Sequence, residues 1–178
     1  SPGDQRRPAD NPAGRGARKD CQTSGTQTAS GYPEHAFTWD TTLRVRAGLT
    51  ALGVRSAMSR GDDASSGPCV DARAAMANEL APDAIVSIHA DGGPPSGRGF
   101  HVNYAGPPLN DVQNGAAAAL ATTMRDELVK GRLPVSSYIG NDGLYGRADL
   151  AGLNLAEYPA VLVELGNMRN PDEAAAME

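Results

Sequence analysis

Residues 84–91 read AIVSIHAD and residues 159–167 read PAVLVELGN. Ala84 to His89 and Pro159 to Glu164 are nearly continuous aliphatic, β-branched runs, the mark of interior strands covered on both faces. The text around them has the longer period of helices. Thr42, Val45, Leu49 and Leu52 recur at helical spacing, which predicts a helix over 36–52 that stops at Gly53. Asp71 to Leu80 sets Ala74, Ala77 and Ala81 on one side, so a second helix packs closely there. Ala117, Leu120, Met124 and Leu128 give a third, closed by Gly131. Val54 to Met58 reads as a short strand, and Phe100, Val102 and Tyr104 alternate as another. Leu133 to Tyr158 has no clear period and reads as loop with short helical pieces. Strands separated by amphipathic helices imply an α/β fold, with a mostly parallel, twisted central sheet flanked by helices.

A chain of 178 residues is long enough for one core and too short for two ordinary ones, so it reads as a single domain. The formal net charge of −5 leaves no basic stripe for phosphates and argues against nucleic acid as a partner. No apolar run approaches the roughly 18 to 20 residues that span a bilayer. Residues 1–32 are rich in Gly, Pro, Arg and Ser with almost nothing apolar, which predicts an arm or loop ahead of a body at 33–178. Cys21 and Cys69 lie in loop-like text and neither belongs to a C-x-x-C pair. They read as one disulfide closing a long loop in an oxidising compartment, rather than as two free thiols. Such a closure would pin the arm to the body and contributes about 3 to 4 kcal/mol in the chain-entropy model.

In open α/β sheets ligands bind beyond the carboxyl ends of the strands. Both buried runs end there in groups foreign to a core, His89 and Glu164. A third polar group, Glu34, opens the first helix in GYPEHAF at 31–37. Taken singly, a histidine at a strand end is most often hydrogen-bonded structure, and a first-turn glutamate answers the helix dipole. Glu164 is harder to assign to structure, because a carboxylate directly after Val161, Leu162 and Val163 is costly to desolvate without a partner. Together, an imidazole and carboxylates suit zinc, whose catalytic sites combine such ligands and leave a place for water.

The strings IVSIHAD at 85–91, PAVLVELGN at 159–167, MSRGDD at 58–63 and DARAAMAN at 71–78, in this order and spacing, resemble the zinc-dependent N-acetylmuramoyl-L-alanine amidases of the type 3 family. The resemblance runs over nearly all of Gly31 to Asn170. It implies that Glu34 and His89 are zinc ligands and that Glu164 is the catalytic residue. It further implies hydrolysis of the amide between N-acetylmuramic acid and the L-alanine of the peptidoglycan stem peptide, in cell-wall degradation and division. The Cys-bearing, Gly-rich arm resembles that of exported, disulfide-containing members, which places the protein in the periplasm or cell wall. Regulated relatives carry a long helix inserted after the strand that follows the histidine ligand. Here only Ala105 to Asn110 separates Tyr104 from the next helix, so an open groove, a monomer and no activator are expected.

One departure accompanies the resemblance. The family's other zinc ligand is a histidine in a D-P-G-H-type loop after a first strand, and no such strand or loop stands in this sequence. The chain therefore reads as a piece of the domain that lacks the first strand and the C-terminal helix. His35 follows Glu34 directly and points about 100° away from it on a helix, so it reads as a neighbour of the site. His101 reads as a surface histidine or one behind the ligands. Arg60, Arg73 and Asn78 read as loop ties, Asp62 and Asp63 as a solvated turn, and Phe37 and Trp39 as core. Two other functions fit the same residues: a peptidoglycan-binding domain without catalysis, and a zinc peptidase cutting within the stem peptide. A buried base at Glu164 has no use in a pure binder.

Overall fold

The structure, a computed structural model, describes residues 11–22, 24–65 and 67–178. The first ten residues of the expected arm, and Thr23, lie outside them. Two short strands, β1 (Asn11–Pro12) and β2 (Arg18–Lys19), form a hairpin ahead of the main body. Then follow α1 (Glu34–Ala51), α2 (Val70–Glu79), β3 (Ile85–Asp91) and β4 (His101–Ala105). A π-helical turn over Gln113–Ala117 runs into α3 (Ala118–Lys130), followed by β5 (Leu144–Arg147), α4 (Ala151–Asn154), β6 (Ala160–Asn167) and α5 (Pro171–Met177).

The four main strands lie in the order β3-β6-β4-β5. β3 pairs with β6 in parallel, and so does β4 with β5, but β4 runs antiparallel to β6. The fold is the expected single-domain α/β type, and the one antiparallel pairing makes its sheet mixed. The reason is connection length. A parallel return needs a crossover of a dozen or more residues, and the link from β3 to β4 is shorter than that, whereas α3 supplies the crossover from β4 to β5.

Alternation along the strands builds two cores. Val102, Val161 and Val163 face α3 and pack with Phe100, Ala121, Ile88, Leu120 and Met124. On the opposite face Ala105, Ala160, Ile85 and Leu162 pack with Leu153 and Ala156 around α4. β6, between two neighbours, is the interior strand its sequence predicts. Among the described residues β3 pairs with β6 alone, and Val86 is 45% exposed. A β-branched run marks a strand without telling how many neighbours pair with it.

α1 stops where expected, at Gly53 with φ +76°, a left-handed backbone that glycine takes at little cost. Its apolar stripe is more open than the periodicity implies. No residue of α1 is buried, Phe37 and Trp39 are only half-covered, and Leu52 is 80% exposed, because the helix lies against β3, the outermost of the described strands. Val54–Met58 forms no strand. The Val54 N–H donates back to Leu49 O at 2.9 Å, which gives that donor to the helix end instead of to a ladder.

The described part of the arm is docked. Cys21 and Cys69 form the expected disulfide, with Cα atoms 4.3 Å apart. Around it Val70 N donates to Cys21 O at 2.9 Å, and the Gln22 amide donates to the carbonyls of Gly67 and Pro68 at 2.7 and 3.0 Å. Farther out, Asn154 Nδ2 donates to Ala13 O at 2.9 Å, and the Ala13 side chain is buried. Cross-linking and hydrogen bonds thus order a segment that has too little apolar surface to order itself.

Candidate active site

The parallel register of β3 and β6 sets His89 opposite Glu164, and the antiparallel register of β4 and β6 sets His101 opposite the same residue. Residues directly opposite in a sheet share a face. His89, Glu164 and His101 therefore form a row across three strands, on the face that carries the smaller core at its other end.

α1 delivers the fourth group. Pro33 leads into the helix in extended conformation, and Glu34 stands in its first turn. Its carboxylate turns inward: Oε1 accepts from His89 Nδ1 at 2.8 Å and from Ala90 N at 3.4 Å, and Oε2 accepts from Thr26 N at 3.2 Å. Burial alone would raise the Glu34 carboxyl, but the hydrogen bond and charge of His89, with the two backbone donors, hold it below the ordinary value. Burial pulls the His89 imidazole down, and the opposing hydrogen bond that it donates to Glu34, with the charges of Glu164 and Glu34, leaves it raised.

Glu164 has no such partner. Its Oε2 is buried and accepts no hydrogen bond among the described residues. Burial pushes its carboxyl up to about 7, with His89 opposing and Glu34 and Asp91 adding to the rise. A carboxyl group with that value can both accept and return a proton near neutral pH.

Beside the row, Tyr138 donates its hydroxyl to Asp91 Oδ2 at 2.8 Å. Burial, then the negative Asp91, keep that phenol protonated. Its ring lies so close to Gly93 and Gly97 that a Cβ at either would come within 2.5 Å of it. Asn167, at the end of β6, fastens the same loop by donating to Pro94 O at 2.7 Å and Gly97 O at 2.9 Å.

The sequence reading brought together Glu34, His89 and Glu164, and these three are neighbours in the fold. It passed over the Tyr138–Asp91 pair; the available signal was Asp91 itself, two residues beyond His89 on the same strand. His35 is a neighbour as expected, turned toward Asp63, with Nδ1 and Oδ1 2.9 Å apart. Asp63 is not a solvated turn residue, since Arg60 also donates to it at 2.8 Å while holding His35 O at 2.8 Å and lying 5.0 Å from the Trp39 ring. Asp62 does cap an exposed turn at Ala64 N. Arg73 and Asn78 tie loops as expected, to Pro68 O and Leu155 O. His101 is not at the surface: it is 1% exposed. Among the described residues no cluster of three or more His, Cys, Asp or Glu side chains could hold a metal ion; Glu34 and His89 are a pair.

The chain is 66% identical over 167 residues to an N-acetylmuramoyl-L-alanine amidase of Mycobacterium tuberculosis, an alignment covering 94% of this chain and 69% of that protein. The crystal structure of the N-acetylmuramyl-L-alanine amidase Ami1 from Mycobacterium smegmatis superposes with a TM-score of 0.92 at 66% identity, covering 93% of this chain and 77% of the other. The apo form of Ami1 from Mycobacterium abscessus gives 0.92 at 61% identity, with coverage of 93% and 78%. The family model described as N-acetylmuramoyl-L-alanine amidase matches residues 12–178. That match over nearly the whole chain, with 66% identity to a relative, shows that the chain belongs to the N-acetylmuramoyl-L-alanine amidase family.

Proposed function

We propose that this protein is a zinc-dependent hydrolase of the bond between N-acetylmuramic acid and the L-alanine of the peptidoglycan stem peptide, with Glu164 as its proton carrier. The observation that supports this reading best is the orphaned, buried Oε2 of Glu164, in register with a His89 that is already joined to Glu34. Glu34 and His89 would hold the zinc ion as two donors of its set. They fit it chemically: a carboxylate and an imidazole face each other across 2.8 Å and share a proton that a divalent cation would displace. When bound, the ion supplies Lewis-acid polarisation of the amide carbonyl.

The remaining steps belong to the chain's own groups. Glu164 takes a proton from the attacking water, a C–O bond forms at the lactyl carbonyl, and the C–N bond to alanine breaks. Glu164 then returns the proton to the departing amine, so base and acid are one residue; such transfer is usually worth about 10² to 10⁴ in rate. The Cys21–Cys69 bridge supports export to an oxidising compartment, the periplasm or cell wall. The short link between β4 and the π-helical turn supports an open groove that needs no activator, in a monomeric body at 33–178 with residues 1–32 as its arm.

Mass analysis of peptidoglycan incubated with the purified protein and zinc tests this reading. Release of intact stem peptides with a free alanine amine is the expected result. Cleaved stem peptides would make it a peptidase, and binding without release would make it a non-catalytic domain.

A further inference from the structure

Tyr138 is held in a direction that packing alone does not require. Its ring stands edge-on to His101 of β4, with centroids 6.4 Å apart and planes at 87°, while its hydroxyl reaches Asp91 at the end of β3. β6 lies between those two strands, and His101 is in register with Glu164. The side chain therefore bridges the end of β6 beside Glu164, whose charge acts on the phenol after burial and Asp91. Asp91 has both carboxylate oxygens in use: Oδ1 accepts from Gly92 N at 2.7 Å and Oδ2 from the phenol at 2.8 Å. The single hydrogen of the phenol is thereby committed, and its oxygen accepts no hydrogen bond among the described residues. A phenol oxygen in that state can only accept.

We propose that Tyr138 binds the substrate at the scissile amide, its oxygen accepting the N–H and turning the nitrogen's emerging lone pair toward Glu164. This rests on the reading of Glu164 as the proton carrier, which brings that nitrogen within its reach. As the C–N bond breaks, its electron pair passes to nitrogen and Glu164 gives that pair a proton. The N–H already present stays on nitrogen throughout, bonded to the phenol. An amide N–H that leaves water for a partly buried site needs a new acceptor or carries its desolvation cost. Within this cluster Asp91 is occupied and Glu164 must stay free for the proton, which leaves the phenol oxygen. The pair thus selects for an amide, because a site built to hydrogen-bond an N–H discriminates against a linkage that lacks one, here an ester.

The test compares turnover of a muramyl peptide with that of its depsipeptide analogue, in which L-lactate replaces the alanine so that an oxygen stands in place of the scissile N–H. Tyr138→Phe in the whole protein should lower kcat/KM for the amide by about 5- to 20-fold, the loss of one hydrogen bond, and leave the ester within about twofold of the parent. Asp91→Asn is the second variant. Gly92 N keeps Oδ1 in place, so the new amide nitrogen faces the phenol and donates to it, which fills the acceptor while the ring stays. The same amide-selective loss is expected there, with zinc content at the parent's level in both variants. Undiminished amide turnover in Tyr138→Phe would overturn the proposal. Equal losses on amide and ester would also overturn it, since that is what a merely structural tyrosine predicts. If Tyr138→Phe fails to fold, Asp91→Asn decides by the same ratio. Full turnover in Glu164→Gln would instead remove the proton-carrier reading and this proposal with it, a failure separate from the other two.

Discussion

Nδ1 of His89 lies 2.8 Å from Oε1 of Glu34, although 55 residues separate them in the chain. One comes from the end of β3 and the other from the first turn of the helix laid against that strand. This arrangement sets the carboxylate and imidazole beside Glu164 and gives the site its polarity. The helix dipole and the backbone donors at Thr26 and Ala90 favour negative charge on Glu34, the state that ligates a cation.

Zinc added to the metal-free protein should raise its melting temperature, since a ligand that binds only the folded state stabilises it. Glu34→Ala and His89→Ala should each abolish that rise. Differential scanning fluorimetry checks this without reference to turnover, and a rise of equal size in both variants would exclude them as ligands.

Loss of the Cys21–Cys69 bridge, which spans 48 residues, should destabilise the protein by about 2 to 4 kcal/mol. Cys21→Ser measured by denaturant unfolding gives the number. Limited proteolysis should cut the variant ahead of α1 sooner than the parent, and thiol titration of the unreduced parent should find no free thiol.

Legibility in the sequence followed what local pattern can encode. The strands at 85–91 and 160–167 and the three long helices were readable, because β-branched runs and 3.6-residue spacing are properties of neighbouring residues. β5 was not, since LYGR is short, carries a glycine and owes its existence to pairing with β4. The reverse error, a strand at Val54–Met58, has the same cause: composition favours extension, but a ladder requires a partner. At the candidate site, Glu34, His89 and Glu164 were singled out through strand ends and family strings, and the fold sets them side by side. Of the two places left open for His101, the surface or behind the ligands, the structure takes away the first; alternation reveals which face a residue takes, and not that Tyr138 and Tyr145, from later in the chain, lie against the ring.

Asn167→Ala should cost about 2 to 3 kcal/mol, because two loop carbonyls lose a buried donor and Arg169 N loses an acceptor. Denaturant unfolding measures the cost. Hydrogen exchange should show that opening is concentrated in the loop between β3 and β4.

Tyr138→Phe should lower stability by about 1 kcal/mol through the lost bond to Asp91. Gly97→Ala should displace the whole ring, since its Cβ would stand 2.5 Å from Tyr138 Cδ1, and cost about 1 to 3 kcal/mol. The glycine variant should therefore be no more stable than the tyrosine variant when both are unfolded in urea.

The pairing of turnover with zinc content in Glu164→Gln tests the central claim most directly. Glu164 adjoins His89 across the sheet but stands outside the Glu34–His89 pair, so the account predicts zinc retained at the parent's level. It also predicts that stem-peptide release falls by about 10² or more, the usual scale for losing a positioned acid–base group. Near-normal release with zinc in place would contradict the assignment of Glu164 as the group that moves the proton.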